Sequence, residues 1–485
     1  MPGLIQKKNF LQNLILALAS GAIFYISVMS YGLGITDDSV NYLSAASSFP
    51  SLVKIDGSPF TEWPPLYPYI LSLYKFTGIN ILHFATLLHG LTFCLSIVIF
   101  NAMTKSYFQN KYIYWIFIIC ILFSTPLLQS FIFLWSEGIF ILLILITIYY
   151  LSIYIEKPSI ANLAFLILLS ILICMQRKSG IIFTGAFAVI LYKYKPEPKT
   201  GLLKALTYLL VSTAPFILWT YRRYLISGSA TSEASYQPDR IWGNLSQTLD
   251  VLSSWLMPDE IPLMLRSIIL IAGIIFLFFI FRKYPFENHS DGKDFISFSI
   301  ITLLIYTFVL CIIFLYLKAD EPIDDRLLSP VYLLFIFLVF IATDRFIFFV
   351  GRNNVIRKMI LTAVILFPFY FIIRTGYHIR RWNDNGTGGY NTKSWTGNTL
   401  IGTLLAMKPQ SIVSNNIYVL SYYLNFKNNS ARHIVDSKAG ISESHFIIAY
   451  FSGQLSHISS NIRIDEDMNK EKILYQGKEG IIIQE

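Results

Sequence analysis

The chain has 485 residues, of which 54% are hydrophobic, 16% aromatic and only 14% charged. Soluble domains run at roughly 45–50% apolar residues, so this composition excludes an ordinary soluble enzyme and predicts a polytopic membrane protein with the lipid bilayer as its first partner. The net charge of +9 is spread over short loops and not gathered in one patch, which argues for membrane topology and against nucleic acid.

The first apolar run, residues 9–33, follows Lys7 and Lys8. It is longer than the roughly 7–15 residues of a signal-peptide core and has no small-residue cleavage site after it, so it is expected to stay as the first spanning helix. Further runs near the ~20 residues that cross a bilayer lie at 81–103, 112–128, 131–155, 160–176, 179–193, 203–224, 263–281, 295–317, 327–348 and 358–375, making eleven. The four cysteines, Cys94, Cys120, Cys174 and Cys311, fall inside these runs. There a thiol packs as a small hydrophobe, and no disulfide framework or CxxC metal site is suggested.

Positive residues in short loops favour the cytoplasm. With Lys7 and Lys8 inside, the loops with Lys105 and Lys111, "KYKPEPKTGLLK" (193–204), "RKYPFENHSDGK" (282–293) and "DRFIFFVGRNNVIRK" (344–358) are inside too. The opposite side receives 34–80, the turn near 126–130, "MQRKSG" (175–180), 225–262 and "KADEPIDDR" (318–326). The N-terminus is then cytoplasmic, and an odd helix count leaves the C-terminus outside. Residues 376–485 change character: after the Gly/Asn-rich "NDNGTGGYNT", the runs "SIVSNN", "HFIIAYF" and "EGIIIQE" have strand length, and "IYVLSYYLN" reads as a short helix. The expected organisation is a mainly α membrane domain, 1–375, and a small extracytoplasmic α/β domain, 376–485, large enough for a modest core.

The loop of 34–80 carries two adjacent carboxylates, Asp37 and Asp38, in "GITDDSVNYL". One reading is a helix start, with Thr36 as N-cap and acids in the first turn. Long loops are also where function concentrates. The same loop ends in "TEWPPLYPYILSLYKFTG" (61–78), whose prolines and aromatics fit an interfacial or re-entrant helix or an aromatic belt.

These two stretches together resemble the GT-C superfamily of integral membrane glycosyltransferases, in the branch of protein O-mannosyltransferases, aminoarabinose transferases and lipid A core galacturonosyltransferases. The acidic pair followed by a Tyr and small residues is here Asp37, Asp38, Tyr42 and Ala45. The "HPPLYY"-like element is Trp63, Pro64, Pro65, Leu66, Tyr67 and Pro68, with Trp63 where many relatives have His. "FLWSEGIF" (133–140) resembles the Ser/Thr-Glu element, and "QRKSGIIF" (176–183) the basic element of the next helix pair. "DDRLLSPVYL" (324–333) resembles the late Arg-and-Pro signature, with Leu327 in place of the usual Tyr. "GGYNTKSWTGNTL" followed by "IVSNN" resembles the start of the family's outer C-terminal domain. Glu137, Arg177, Lys178 and Arg326 each also have a local reading as a helix cap, a snorkelling cation or a helix-end ion pair.

The resemblance implies a glycosyltransferase fed by a polyprenyl-phosphate-linked sugar at the outer face of the cytoplasmic membrane. Phosphate leaves without a proton from a general acid, so the chemistry needs one base and positive charge. It implies Asp37, with Asp38 second, as the base that takes the proton of an acceptor hydroxyl on a glycan, lipid or protein. Arg326, Arg177 and Lys178 would face the donor phosphate, while Tyr42, Glu62, Trp63, Tyr67 and Glu137 would line the substrate. No organic cofactor is implied; some relatives bind a divalent metal at this loop, for which this chain gives weak grounds. A transporter or flippase of a lipid-linked glycan is the alternative, since membrane-edge charges mark substrate pathways there as well. The paired inverted repeats common in transporters are not visible in the sequence.

Overall fold

The computed structural model describes residues 7–194, 198–229, 241–283, 293–316, 323–349, 355–428, 432–436, 447–452, 455 and 472–484. Parts of the basic loops 193–204, 282–293 and 344–358, of the segments 225–262 and 318–326, and the side chain of Cys311 lie outside them. Each of the apolar runs forms helix. They are α1 (Lys7–Val28), α4 (Ile81–Thr104), α5 (Lys111–Leu122), α6 (Thr125–Ile132), α7 (Glu137–Glu156), α8 (Ile160–Gln176) and α9 (Gly180–Lys193). Then follow α10 (Pro198–Ser227), α12 (Leu263–Lys283), α13 (Lys293–Tyr316), α14 (Asp325–Phe349) and α15 (Val355–Asn385), with an amphipathic α11 (Ile241–Ser254) before α12. Among the described residues, eight spans are long and apolar enough to cross a bilayer, α5 and α6 forming one of them. The apolar stretches Ile160–Gln176, Gly180–Lys193 and Phe295–Leu310 are shorter.

Three boundaries differ clearly from the sequence expectation. The third run does not continue to residue 128: it breaks at Phe123–Ser124, where the Ser124 hydroxyl accepts from Leu127 N at 3.3 Å and Pro126, lacking an N–H, suits the first turn of α6. Helix α6 then ends at Ile132 and α7 starts at Glu137, leaving Phe133–Trp135 as a short bent link, with Trp135 N donating to Phe133 O at 2.8 Å, where continuous helix was expected. The last apolar helix, expected to stop at 375, runs on to Asn385.

The loop between α1 and α4 contains α2 (Asp37–Ser47) and α3 (Leu66–Ser72), the latter continued by a 3₁₀ turn over Leu73–Phe76. Tyr69, Leu73 and Phe76 of this second piece are exposed, the apolar face expected of an interfacial helix. After α15 come the antiparallel pair β1 (Gly386–Gly388) and β2 (Asn391–Thr392), then α16 (Lys393–Thr396) and α17 (Thr399–Met407). A five-stranded mixed sheet follows, ordered β4-β3-β5-β7-β6 from β3 (Ser411–Ser414), β4 (His433–Val435), β5 (Ile447–Phe451), β6 (Lys472–Gly477) and β7 (Gly480–Gln484). Strands β4, β3 and β5 are parallel; β7 and β6 are antiparallel to their neighbours. The run "IYVLSYYLN" is α18 (Ile417–Leu420) plus a π-helical turn, Ser421–Lys427.

At the end of α14 remote from Arg326, Asp344 is fully buried and accepts the backbone N–H groups of Gln109 at 2.9 Å and Asn110 at 3.0 Å. A ring cluster of Phe100, Phe117, Phe295 and Phe337 joins α4, α5, α13 and α14. These contacts fix α14 against the bundle, and α14 carries Arg326.

Candidate active site

Three segments distant in sequence are laced together just before α2. Gly34 N donates to Ile132 O at 2.8 Å and Leu134 N donates back to Gly34 O at 2.9 Å. On the other side, Ile35 N donates to Gly388 O at 3.3 Å and Tyr390 N to Ile35 O at 2.7 Å. The link after α6 and the hairpin after α15 therefore hold residues 34–35 as the middle ply of a small parallel arrangement.

Gly389 makes this approach possible. Its φ is +57°, and a Cβ there would lie 1.9 Å from Ile35 O. Gly389→Ala is expected to destabilise the protein by more than the roughly 1–3 kcal/mol of a strained backbone position, because rigid backbone blocks the new methyl. Thermal unfolding in detergent reads this; a variant that melts with the wild type would mean the hairpin is not docked on Ile35.

Helix α2 starts as its sequence suggests. Thr36 N donates to Ser39 Oγ at 3.0 Å, and Asp37 and Asp38 occupy the first turn, where carboxylates complement the helix dipole. The helix-start reading is correct, and the site is built on it. Asp38 Oδ2 accepts from Arg326 Nη2 at 2.6 Å, while Arg326 Nε donates to Glu137, which also pairs with Arg177. Glu137 is fully buried in the first turn of α7, while Asp38, Arg326 and Arg177 are each partly exposed. Two guanidinium groups thus balance two carboxylates, the condition under which a buried carboxylate is tolerated.

Trp135, in the bent link between α6 and α7, supports both sides of this cluster. Its indole N–H donates to Thr36 Oγ1 at 3.0 Å, and its ring lies 4.6 Å from the Arg326 guanidinium carbon. Neighbouring acids do not divert Arg326. Asp324 Oδ1 accepts from Leu327 N at 3.2 Å and Asp325 accepts from the Trp255 indole at 2.6 Å. Burial raises the Asp324 carboxyl above its usual range, although the Leu327 N–H and Arg326 oppose this.

Asp37 takes a different partner. Its carboxylate accepts the hydroxyl hydrogen of Tyr390, whose backbone carbonyl in turn accepts from Tyr423 at 2.9 Å. Burial, then the Asp37 charge, push the Tyr390 phenol far above its ordinary value, so it stays a neutral donor at any working pH.

Tyr42 lies beneath the cluster, 2% exposed, its phenol pushed up by burial and then by Asp38 and Glu137. Its ring meets Tyr67 edge-on at 4.9 Å and Trp63 at 5.8 Å. Tyr67 is fully buried, and its hydroxyl is 2.7 Å from His89 Nε2. His89 Nδ1 is 2.8 Å from Phe131 O; a carbonyl only accepts, so Nδ1 carries the hydrogen and Tyr67 donates to Nε2 of the neutral ring. Tyr42 and Tyr67 therefore act through what they support and have almost no surface of their own for a substrate. Trp63 is half-buried, and its carbonyl accepts from the Trp219 indole of α10 at 3.0 Å.

Two assigned residues stand apart from the ion-pair cluster. Glu62 pairs with Lys54 at 3.0 Å, and Lys178 is exposed at the turn between α8 and α9. Sequence reasoning gave no role to Trp135, Tyr390, His89 or Lys54. Trp135 and Tyr390 sit inside the quoted "FLWSEGIF" and "GGYNT", the one signal that pointed to them. Asp38 is paired with Arg326 and Glu62 with Lys54, and among the described residues no group of three or more His, Cys, Asp or Glu is gathered at one point.

No family model matches the chain, and no curated protein matches it by sequence. Solved structures do. The chain is similar to ArnT from Cupriavidus metallidurans in the apo state, with a TM-score of 0.57 at 10% identity over 98% of this chain and 97% of that one. It is also similar to the same protein bound to undecaprenyl phosphate, with a TM-score of 0.53 at 11% identity over 97% of each chain. The chain therefore shares the ArnT fold over nearly its whole length, as the motif resemblance led one to expect.

Proposed function

We propose that the protein is an inverting glycosyltransferase that moves a sugar from a polyprenyl-phosphate carrier to an acceptor hydroxyl at the outer face of the cytoplasmic membrane. The observation that carries this reading is the constellation at the head of α2: one carboxylate on a neutral donor, Asp37, beside a second carboxylate locked to arginine, Asp38. The neighbour crystallised with undecaprenyl phosphate supports a lipid phosphate as the partner.

In this reading Asp37 takes the proton of the acceptor hydroxyl as its oxygen attacks the anomeric carbon. The bond from that carbon to the phosphate oxygen breaks, and the electron pair leaves on polyprenyl phosphate. A single displacement needs one base on the acceptor side, unlike the paired acids of hydrolases. Arg326 spends Nε on Glu137 and Nη2 on Asp38, which leaves Nη1 to meet a phosphate oxygen. A preoriented cation of this kind stabilises the charge that builds on the leaving group without reorganising. Glu137 and Trp135 hold the guanidinium in place, and Arg177, paired with Glu137, adds positive charge beside it.

The decisive test uses full-length protein in detergent and a panel of undecaprenyl-phosphate sugars. Release of undecaprenyl phosphate with a candidate acceptor, and without nucleotide or gradient, is the expected result. Gradient-dependent movement of an unaltered lipid-linked glycan in proteoliposomes, with no release, would replace the transferase by a transporter. Orientation is tested separately. A reporter fused after Gly389 should act as extracytoplasmic and one at Pro196 as cytoplasmic; two reporters on one side would mean that the helix count is wrong by an odd number.

A further inference from the structure

We propose that Tyr390, which the hairpin after α15 brings to the membrane domain, is the positioning residue for Asp37. This deepens the reading above, since it concerns the same base. Asp37 and Tyr390 are 353 residues apart in sequence, and the Tyr390 hydroxyl donates to Asp37 Oδ1.

Six further links make the approach specific. Tyr390 N donates to Ile35 O, two residues before Asp37, so backbone and side chain of one residue grip the same turn. Asn391 Nδ2 donates to Leu33 O at 2.9 Å, and Thr387 Oγ1 donates to Gly32 O at 2.6 Å. The Tyr390 ring lies edge-on to Trp395 at 5.7 Å. From the other side, Tyr423 donates to Tyr390 O, and the side-chain oxygen of Asn416, the N-cap of α18, is 3.5 Å from the Tyr390 hydroxyl. The acid thus receives its hydrogen bond from a group whose own place is set by the C-terminal α/β region.

A fixed phenol donor restricts the Asp37 carboxylate to one orientation, and general-base catalysis requires such a held geometry. Tyr418, also from the C-terminal region, lies near enough to feel the Asp37 charge, and within α2 the neighbouring Asp38 is paired with Arg326.

The test does not depend on knowing the sugar. Full-length protein is treated with a water-soluble carbodiimide and glycine ethyl ester at one fixed pH, and the labelling rates of Asp37 and Asp38 are read by peptide mass spectrometry. In Tyr390→Phe the Asp37 carboxylate loses its fixed donor and should label faster relative to Asp38, whose partner Arg326 is untouched. With a donor found active for the wild type, kcat should fall about tenfold with the donor KM unchanged. If Tyr390→Phe does not fold, 3,5-difluorotyrosine at 390 supplies a stronger donor of nearly the same shape, and Asp37 should then label more slowly than in the wild type.

An unchanged ratio of Asp37 to Asp38 labelling in the folded variant overturns the proposal, and so does full kcat. A changed ratio in a protein that releases no undecaprenyl phosphate from any donor would overturn the transferase reading and leave the role of Tyr390 standing.

Discussion

Asp37→Asn is expected to slow sugar transfer by about 10²–10⁴, the usual worth of a general base, with donor affinity unchanged. The substitution keeps the size of the side chain and an oxygen that can still accept from Tyr390, so the α2 turn should hold. What it removes is the proton acceptor. Asp38→Asn is expected to differ, because that carboxylate is bound to Arg326 at 2.6 Å. Its loss unbalances the arginine and should change donor binding more than the proton-transfer step. Single-turnover rates and donor titrations on both variants separate the two. An active Asp37→Asn beside a dead Asp38→Asn would move the base to Asp38, and two fully active variants would leave the acidic pair as a helix start alone.

The distinction between the acids shows where the sequence was readable. Two adjacent carboxylates after Thr36 identify a first helical turn by local chemistry, and the structure has that turn. Nothing local says that Asp38 meets Arg326 or that Asp37 meets Tyr390, at separations of 288 and 353 residues. Those partners follow from packing α14 and the C-terminal hairpin onto α2. Arg326 illustrates the same limit from the other side: two acids precede it directly, yet Asp324 caps its own helix and Asp325 takes Trp255. Sequence neighbours that could pair need not do so when each has a better partner.

Hydropathy was the strongest signal for the fold, because every membrane helix must satisfy its own backbone and present an apolar surface. It is weaker for boundaries. The break at Ser124 is marked by a capping residue and Pro126, but continuous apolarity through "CILFSTPLLQSFIF" hides it. That break matters to the site, since the short helix it starts ends at Ile132 and leaves Trp135 in a bent link under Arg326. Glu137 was placed correctly at a helix start, and its complete burial against two arginines is what hydropathy cannot show.

Arg326→Ala is expected to weaken donor binding by about 2–5 kcal/mol, the range for truncating one member of a desolvated charge pair, or roughly thirtyfold to several thousandfold in Kd. The variant removes a cation from both the ground-state complex and the transition state, so kcat/KM should fall by at least as much. Its effect on folding is bounded by geometry: Glu137 keeps Arg177, so it is not left as an isolated buried charge, whereas Asp38 is partly exposed and can be rehydrated. Arg326→Lys supplies the control. A lysine retains the charge but is a single point donor, and one ammonium cannot reproduce the fork that now spans Asp38, Glu137 and the Trp135 face. Its Kd for undecaprenyl phosphate should fall between those of the wild type and Arg326→Ala. Titration of both folded variants with undecaprenyl phosphate reads the order directly. Equal affinity in all three proteins would mean that Arg326 serves only to neutralise Glu137 and Asp38, and that the phosphate is held by other cations.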